Sequence, residues 1–384
     1  MRNSPKYKVL IVQRRLTHYR VALFEALRHE LANRDCELLL AHGDATAEER
    51  GKNDGGLLDW ATRLPTRYFL GGKLCWQPFQ KILTGVDLLV VTSENKMIYN
   101  LAAQYWHHSY KLGLWGHGAN LQGNPSSLRE RFKRRVATRA DWWFAYTDMS
   151  LPLIERTGFP NERVTVLNNS VDTAELAAMR QRVSPEATER LKHDLGLAGQ
   201  HVGVYVGSLY AEKRIEFMLD AALKIHDTLP SFEFLILGSG PQQALVERFC
   251  ENNTWAKYLG VRKGQAKVDA MALANVMLNP GLVGLGILDS FVCGVPMVTT
   301  DCGLHSPEIV YLNNHENGLM TANTIDAYVA AVVGLLADDE AVARLRAGCE
   351  ASARKYTIEN MASNFADGVV RCLEAPFYRG RVGW

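Results

Sequence analysis

Short apolar segments alternate with amphipathic ones along nearly the whole of this chain, and that alternation admits little besides parallel sheets covered by helices on both faces. In the first half, Tyr7–Gln13, Cys36–His42, Asp87–Ser93, Lys111–Gly116, Trp142–Thr147 and Arg163–Asn168 read as strands. A second series follows at Val202–Ser208, Phe232–Leu237, Tyr258–Val261, Val276–Asn279, Met297–Thr300 and Gly318–Thr321. After the first strand, Phe24, Leu27 and Leu31 share one face at helical spacing, which predicts a helix. A chain of 384 residues exceeds the size at which a single core stops growing, so the two series become two domains. The expected class is α/β, with two Rossmann-like doubly wound domains facing a central cleft. Their boundary is expected between Asn168-Asn169-Ser170-Val171-Asp172 and the polar stretch Pro185 to Leu197, giving domains 1–178 and 179–365, with the closing segment 366–384 returning to the first as a helix. Open sheets of this kind bind ligands beyond the carboxyl ends of their strands, so chemistry is sought there.

Composition removes several classes of function. The hydrophobic share is 47%, and no apolar run approaches the roughly 18 to 20 residues that span a bilayer. The run Val9 to Val12 is read as a buried strand rather than part of a signal peptide. Seven scattered cysteines form no CxxC pair, which favours a reducing cytoplasm and suggests neither a disulfide framework nor a zinc site. A net charge of +2 argues against a protein that coats nucleic acid. The first strand runs into Gln13-Arg14-Arg15 with no GxGxxG turn, which disfavours a dinucleotide-dependent oxidoreductase.

The second half carries the chemistry. Val204-Tyr205-Val206-Gly207-Ser208 leads from a strand through a glycine turn to Glu212-Lys213-Arg214 at the start of a helix. Two cations at that end oppose the helix dipole, and a bound diphosphate reverses the penalty; a solvated basic turn is the plainer reading. Gly238-Ser239-Gly240-Pro241 forms another glycine turn into a helix. In Asn279-Pro280-Gly281-Leu282-Val283-Gly284-Leu285-Gly286, glycines leave backbone amides open where a helix begins, an arrangement suited to an anion. Asp289 follows about one turn later, where a carboxylate can accept hydrogen bonds from ribose hydroxyls. It can equally be a first-turn helix charge.

This ordered series resembles the family-four retaining glycosyltransferases of the GT-B architecture (glycosyl transferases group 1), of the kind that assemble bacterial surface polysaccharides. The C-terminal domains of that family carry a glycine turn, Glu-Lys, Gly-x-Gly-Pro and a paired-glutamate signature ending in Gly-x-Pro. Here the elements are Gly207, Glu212-Lys213, Gly238 to Pro241, Gly284-Leu285, Asp289 and Gly294-Val295-Pro296, followed by Glu308-Ile309-Val310 and Asn317-Gly318-Leu319. Three positions depart from the pattern. Ser208 stands where the family has arginine, Gly281 where it has the first glutamate, and Asp289 where it has the second.

In the first half, Trp115-Gly116-His117-Gly118 follows a strand, and Asn168 to Asp172 resembles the family's hinge region with Ser170 in place of glycine. The resemblance implies that His117 faces the donor sugar and that Arg15, Tyr19 and Arg20, after the first strand, lie on the acceptor side. It also implies that the nucleotide base lies against Gly260-Val261-Arg262. The donor-binding set is then Gly207, Ser208, Lys213, Arg214, Gly238, Val261, Arg262, Gly284, Leu285, Gly286 and Asp289, with His117, Lys213 and Asp289 as catalytic residues.

The resulting expectation is a hexosyltransferase that moves sugar from a nucleotide-sugar, with UDP or GDP as carrier, to a glycan or lipid-linked acceptor with retention. No cofactor and no metal are expected, the sequence having no Asp-x-Asp motif to hold a cation against a diphosphate. A nucleotide-sugar epimerase of the same fold and a non-catalytic sugar-nucleotide binding protein remain open alternatives. The basic segment 128–139, in which Leu128, Phe132 and Val136 are spaced by four, is expected either to pack on a sheet or to dock on an anionic membrane surface. Docking would place the protein peripherally on the inner face of the plasma membrane.

Overall fold

The computed structural model describes residues 5–378 apart from 52, 53, 107, 108, 119–131, 133 and 134. Two compact units emerge, one built from the chain up to Asp172 together with the stretch from Ile358 onward, the other from Thr173–Thr357.

The first unit opens with β1 (Tyr7–Arg15), α1 (His18–Ala32), β2 (Cys36–Gly43) and the short α2 (Ala47–Arg50). Next come β3 (Thr62–Arg63), a small antiparallel pair β4 (Arg67–Phe69) and β5 (Leu74–Trp76), then β6 (Leu88–Thr92), α3 (Ile98–Ala103), β7 (Lys111–Gly116), β8 (Trp142–Ala145), α4 (Leu151–Glu155) and β9 (Val164–Val166). Seven strands form one parallel sheet in the order β3-β2-β1-β6-β7-β8-β9. Val9 and Ile11 point into the core beneath α1, Leu10 and Val12 into the core on the other face, and all four are buried. A strand covered on both faces needs an unbroken apolar run, and Val9–Val12 is one. The strands β3, β4 and β5 carry no such run, and the sequence reading passed over them.

The second unit contains α5 (Ala174–Gln181), α6 (Pro185–Asp194), β10 (His201–Val206), α7 (Ile215–Thr228), β11 (Phe232–Leu237), α8 (Gln243–Asn252), β12 (Ala256–Gly260), α9 (Gly264–Ala272) and β13 (Val276–Leu278). It continues through α10 (Gly286–Cys293), β14 (Met297–Thr300), β15 (Gly318–Thr321), α11 (Ile325–Leu336) and α12 (Asp339–Lys355). Six parallel strands lie in the order β12-β11-β10-β13-β14-β15. This order reverses direction between β10 and β13, the position at which doubly wound sheets open a crevice for ligands. Thr324 and Asp338 cap α11 and α12 by accepting from the amides of Ala327 and Ala341.

The final helix, α13 (Ile358–Glu374), returns to the first unit. Ile358, Met361, Ala362, Phe365, Ala366 and Val369 bury one continuous face in the core shared with α1, so the apolar stripe begins ahead of residue 366. Residues 358–365 therefore lie with the first unit and 173–178 with the second, which shifts both expected boundaries. Lys111 fastens the end of α13. Its ammonium donates to Cys372 O at 2.8 Å, Leu373 O at 2.5 Å and Ala375 O, and burial lowers its pKa.

Much of the basic segment falls outside the described residues. Of its described part, Phe132 is 47% exposed, whereas Val136 is buried and Arg139 is buried with its guanidinium 4.2 Å from the Tyr105 ring centre. No described helix is long and apolar enough to cross a membrane.

Replacing Lys111 by Met leaves three carbonyls at a helix C-terminus without their donor. The variant should lose about 1–3 kcal/mol of stability in urea unfolding, with α13 the first segment to gain hydrogen exchange.

Candidate functional site

Three loops meet at the carboxyl edge of the second sheet. Gly207 N–H donates to Leu237 O at 3.0 Å, and Gly238 N–H to Gly260 O at 2.9 Å, so the turns after β10, β11 and β12 are bonded side by side. Gly238 sits at φ +143°, and a Cβ there would collide with the Gly207 carbonyl; only glycine permits this approach. Two tyrosines secure the turns: Tyr205 donates to Ser208 O and Tyr258 to Gly238 O, each at 2.8 Å. Ser208 is exposed at the mouth of the first turn, and Val261 and Arg262 are exposed after the edge strand β12.

Across the switch point, the loop after β13 leans on the turn 211–213. Leu282 N–H donates to Glu212 O at 2.8 Å, and Lys213 Nζ donates to Leu282 O at 2.5 Å. Lys213 is partly buried, and among the described residues no carboxylate lies within ion-pair distance of it. Desolvation pulls its pKa down to about 8. The amides of Gly284, Leu285 and Gly286, at the start of α10, have no acceptor among the described residues. An unpaired ammonium and open amides at a helix N-terminus thus occupy one edge of one sheet, an arrangement that favours an anion.

Arg214 is committed to structure. Its φ of 57° places a non-glycine residue in the left-handed region, a strain of roughly 1–2 kcal/mol. Its Nη1 donates to Thr300 Oγ1 at 3.0 Å, Pro280 O at 3.3 Å and Asn323 Oδ1 at 2.5 Å. The guanidinium also stacks 4.1 Å from the Phe217 ring centre. Asp289, in the first turn of α10, accepts from Lys267 Nζ at 3.0 Å, a partner on α9 that the sequence did not suggest. Among the described residues no group of three or more His, Cys, Asp or Glu is placed to hold a metal ion.

In the first unit, the three arginines after β1 have different fates. Arg14 donates to both carboxylate oxygens of Glu49 at 2.8 and 2.7 Å, and that hydrogen bonding brings the Glu49 pKa down to about 2. Arg15 grips Asp54 the same way at 2.6 and 2.9 Å, which lowers the Asp54 pKa. Arg20, by contrast, is buried with no carboxylate within ion-pair distance among the described residues. Its guanidinium donates to Asn169 Oδ1 at 2.9 Å and lies over the rings of Tyr19, Trp115 and Tyr146 at 5.3, 5.3 and 5.8 Å. The exposed His117 ring meets Tyr146 edge-on at 4.3 Å. Tyr19, Arg20 and His117 therefore form one group, Arg20 lying over Tyr19 and Tyr146 and Tyr146 meeting His117, while Arg15 is turned away to Asp54.

Residues 200–338 match the family model described as Glycosyl transferases group 1. The chain carries a glycosyl transferases group 1 domain. That domain lies within the second unit and contains every loop residue of the switch-point cluster. Among curated relatives, a GDP-mannose-dependent alpha-(1-6)-phosphatidylinositol monomannoside mannosyltransferase of Mycolicibacterium smegmatis is 26% identical over 214 residues, covering 52% of this chain and 53% of its own length. A 2-deoxystreptamine glucosyltransferase of Streptomyces kanamyceticus is 25% identical over 258 residues, covering 62% and 64%. The chain thus spans about half to two thirds of the length of these relatives. Among solved structures, Anabaena HepE in complex with UDP has a TM-score of 0.66 at 14% identity, covering 95% of this chain and 99% of that one. A glycosyltransferase from Rickettsia africae has a TM-score of 0.69 at 14% identity, covering 97% and 100%. At such identity the likeness is one of fold, the GT-B fold with its two Rossmann-like units.

Within the group 1 domain, sequence reasoning located Gly207, Lys213, Gly238 and Gly284 to Gly286, which the structure brings to one edge. It missed His305, whose ring nitrogens bond Val283 N–H and Thr300 O, and the two tyrosines beneath the glycine turns. A histidine in the loop after a sheet strand, three residues ahead of Glu308, was the available signal. The structure also explains Gly281. A Cβ there would lie 2.5 Å from Glu212 O and against the Lys213 backbone, so the loop closes only around glycine. Installing the glutamate that the resembled family has, Gly281→Glu, should therefore cost about 1–3 kcal/mol in chemical denaturation by overpacking.

Proposed function

We propose that this protein is a hexosyltransferase that moves a sugar from a nucleotide-sugar donor to a glycan or lipid-linked acceptor, with retention of anomeric configuration and without a metal. The observation that carries this reading is the convergence of the unpaired Lys213 ammonium and the open amides of Gly284, Leu285 and Gly286 at the switch point. The group 1 domain and the transferase names of the curated relatives support it.

In this reading the donor diphosphate lies against Lys213 and the start of α10, with Gly207, Ser208 and Gly238 allowing close approach. The nucleotide base lies toward Val261 and Arg262, and Asp289 addresses the ribose. The bond between the anomeric carbon and the phosphate oxygen breaks, and the nucleoside diphosphate leaves with the electron pair. The acceptor hydroxyl oxygen forms the new bond on the face the phosphate vacates, and its proton passes to the departing phosphate. Lys213 and the amides stabilise the charge growing on that phosphate, so no enzymic nucleophile is assigned. Arg214 contributes its fixed positive charge and holds the 280–283 loop, and the group of Tyr19, Arg20 and His117 is assigned to sugar and acceptor. Arg15 acts through Asp54, shaping the loop after β1.

The burial of Lys213 sets a pH signature. The ammonium is charged below about 8 and neutral above, so affinity for UDP or GDP should fall as pH rises through that value, and calorimetry from about pH 7 to pH 9.5 should follow it. Lys213→Ala should lower transfer by about 100- to 1,000-fold, with Lys257→Ala near wild type; equal activity in the two variants removes the phosphate assignment. A thermal-shift panel of UDP, GDP, ADP and their sugars identifies the donor, and conversion of that donor without any acceptor would indicate an epimerase instead.

The lipid-linked acceptor and a cytoplasmic, membrane-peripheral location form the finer part of the proposal, supported by the exposed Phe132 within the basic segment. The protein should sediment with anionic liposomes at low salt and be released at high salt. Failure to sediment at low salt overturns this part alone.

A further inference from the structure

The loop that presents the open amides is held by a side chain not yet given a role. Val283 N–H donates to Nδ1 of His305 across 3.1 Å, and Nε2 of the same ring donates to Thr300 O at 2.7 Å. An amide can only donate, so Nδ1 carries no hydrogen, and the ring is the neutral Nε2–H tautomer. The neighbouring backbone groups are also occupied. Pro280 O accepts from Thr300 Oγ1 at 2.7 Å and from Arg214, Leu282 O accepts from Lys213, and Val283 O accepts from Ser306 N–H at 2.9 Å. Pro280, Leu282 and Val283 are thus each pinned by hydrogen bonds, and the His305 contact is the last amide pin before Gly284.

We propose that His305 is a positioning residue for the phosphate-binding turn, its neutral imidazole fixing Val283 N–H so that the next three amides converge on the diphosphate, and its protonation releasing them. The inference rests on the donor-site reading above. Removing the acceptor frees Val283 N–H to seek water or ligand, and the peptide planes that follow lose their common aim. Protonation at Nδ1 has the same effect, because an imidazolium has no acceptor. The charged groups that act on the ring are Lys213 on the 211–213 turn and Asp301 on its own loop, and Cys302 Sγ lies 3.6 Å from Nε2. Burial lowers the His305 pKa and Lys213 adds to that, while the Thr300 carbonyl and Asp301 oppose it. The imidazole is therefore neutral near pH 7 and gains its proton only in acid.

Substitutions separate the two ring nitrogens. Asparagine at 305 places an amide oxygen near the Nδ1 position and keeps the Val283 contact, glutamine reaches toward Nε2 and keeps only the Thr300 contact, and leucine keeps neither. Calorimetry of the full chain with UDP and GDP should give His305→Asn within about threefold of wild type, and His305→Gln and His305→Leu weaker by about tenfold or more. Between about pH 7.5 and pH 5 the wild type should lose affinity by a larger factor than His305→Asn, which has no imidazole to protonate; the titration of the ligand's own phosphate is common to both. Binding of the matching nucleoside, which lacks phosphate, should be the same in all four proteins. Should His305→Leu fail to fold, His305→Gln carries the decision. If the wild type binds neither diphosphate, the donor-site reading falls and the positioning role with it. If the wild type binds and His305→Gln binds equally well, the positioning role alone is overturned.

Discussion

A lysine ammonium set against a backbone carbonyl, with no carboxylate at hand among the described residues, is the contact on which the second unit's site depends. Its hydrogen bond to Leu282 O joins the loop after β10 to the loop after β13 across the point where strand order reverses. A partly buried cation raises the free energy of the empty protein unless an anion joins it. The same edge carries open amides at a helix N-terminus, which have the same preference. Two independent features ask for one ligand charge, and that agreement is worth more than either alone.

The glycines of this edge are spacers as much as flexible joints. Gly238 makes room for the Gly207 carbonyl, and Gly281 for the backbone of the 212–213 turn. A glutamate cannot occupy position 281 without moving that turn, so the departure from the resembled family has a steric cause in this chain. Arg214 shows the complementary economy. Its backbone strain persists because one guanidinium nitrogen ties three loop acceptors together.

The first unit treats its arginines differently. Arg14 and Arg15 are neutralised by Glu49 and Asp54 and hold the segment between α1 and β3, whereas Arg20 rests on aromatic faces with a neutral amide oxygen for company. Neighbours in sequence thus differ in availability. A charged residue beside a strand end becomes a candidate ligand only when no carboxylate folds back upon it.

Strand and helix identity was legible from the chain alone wherever burial on both faces demands a continuous apolar run, as in Val9–Val12, or a 3.6-residue stripe, as in Phe24, Leu27 and Leu31. Order along the chain also made the glycine turns and Lys213 recognisable, because each follows directly on its strand. Partnership between distant residues was not legible: His305 with Val283, Lys267 with Asp289, Asp54 with Arg15 and Lys111 with the end of α13 are joined only when the sheets wind. The amino-acid order determined which elements form and which backbone amides a glycine turn could expose. The tertiary structure alone decided which charges are neutralised and which remain for a ligand, because pairing depends on distances that sequence separation does not encode.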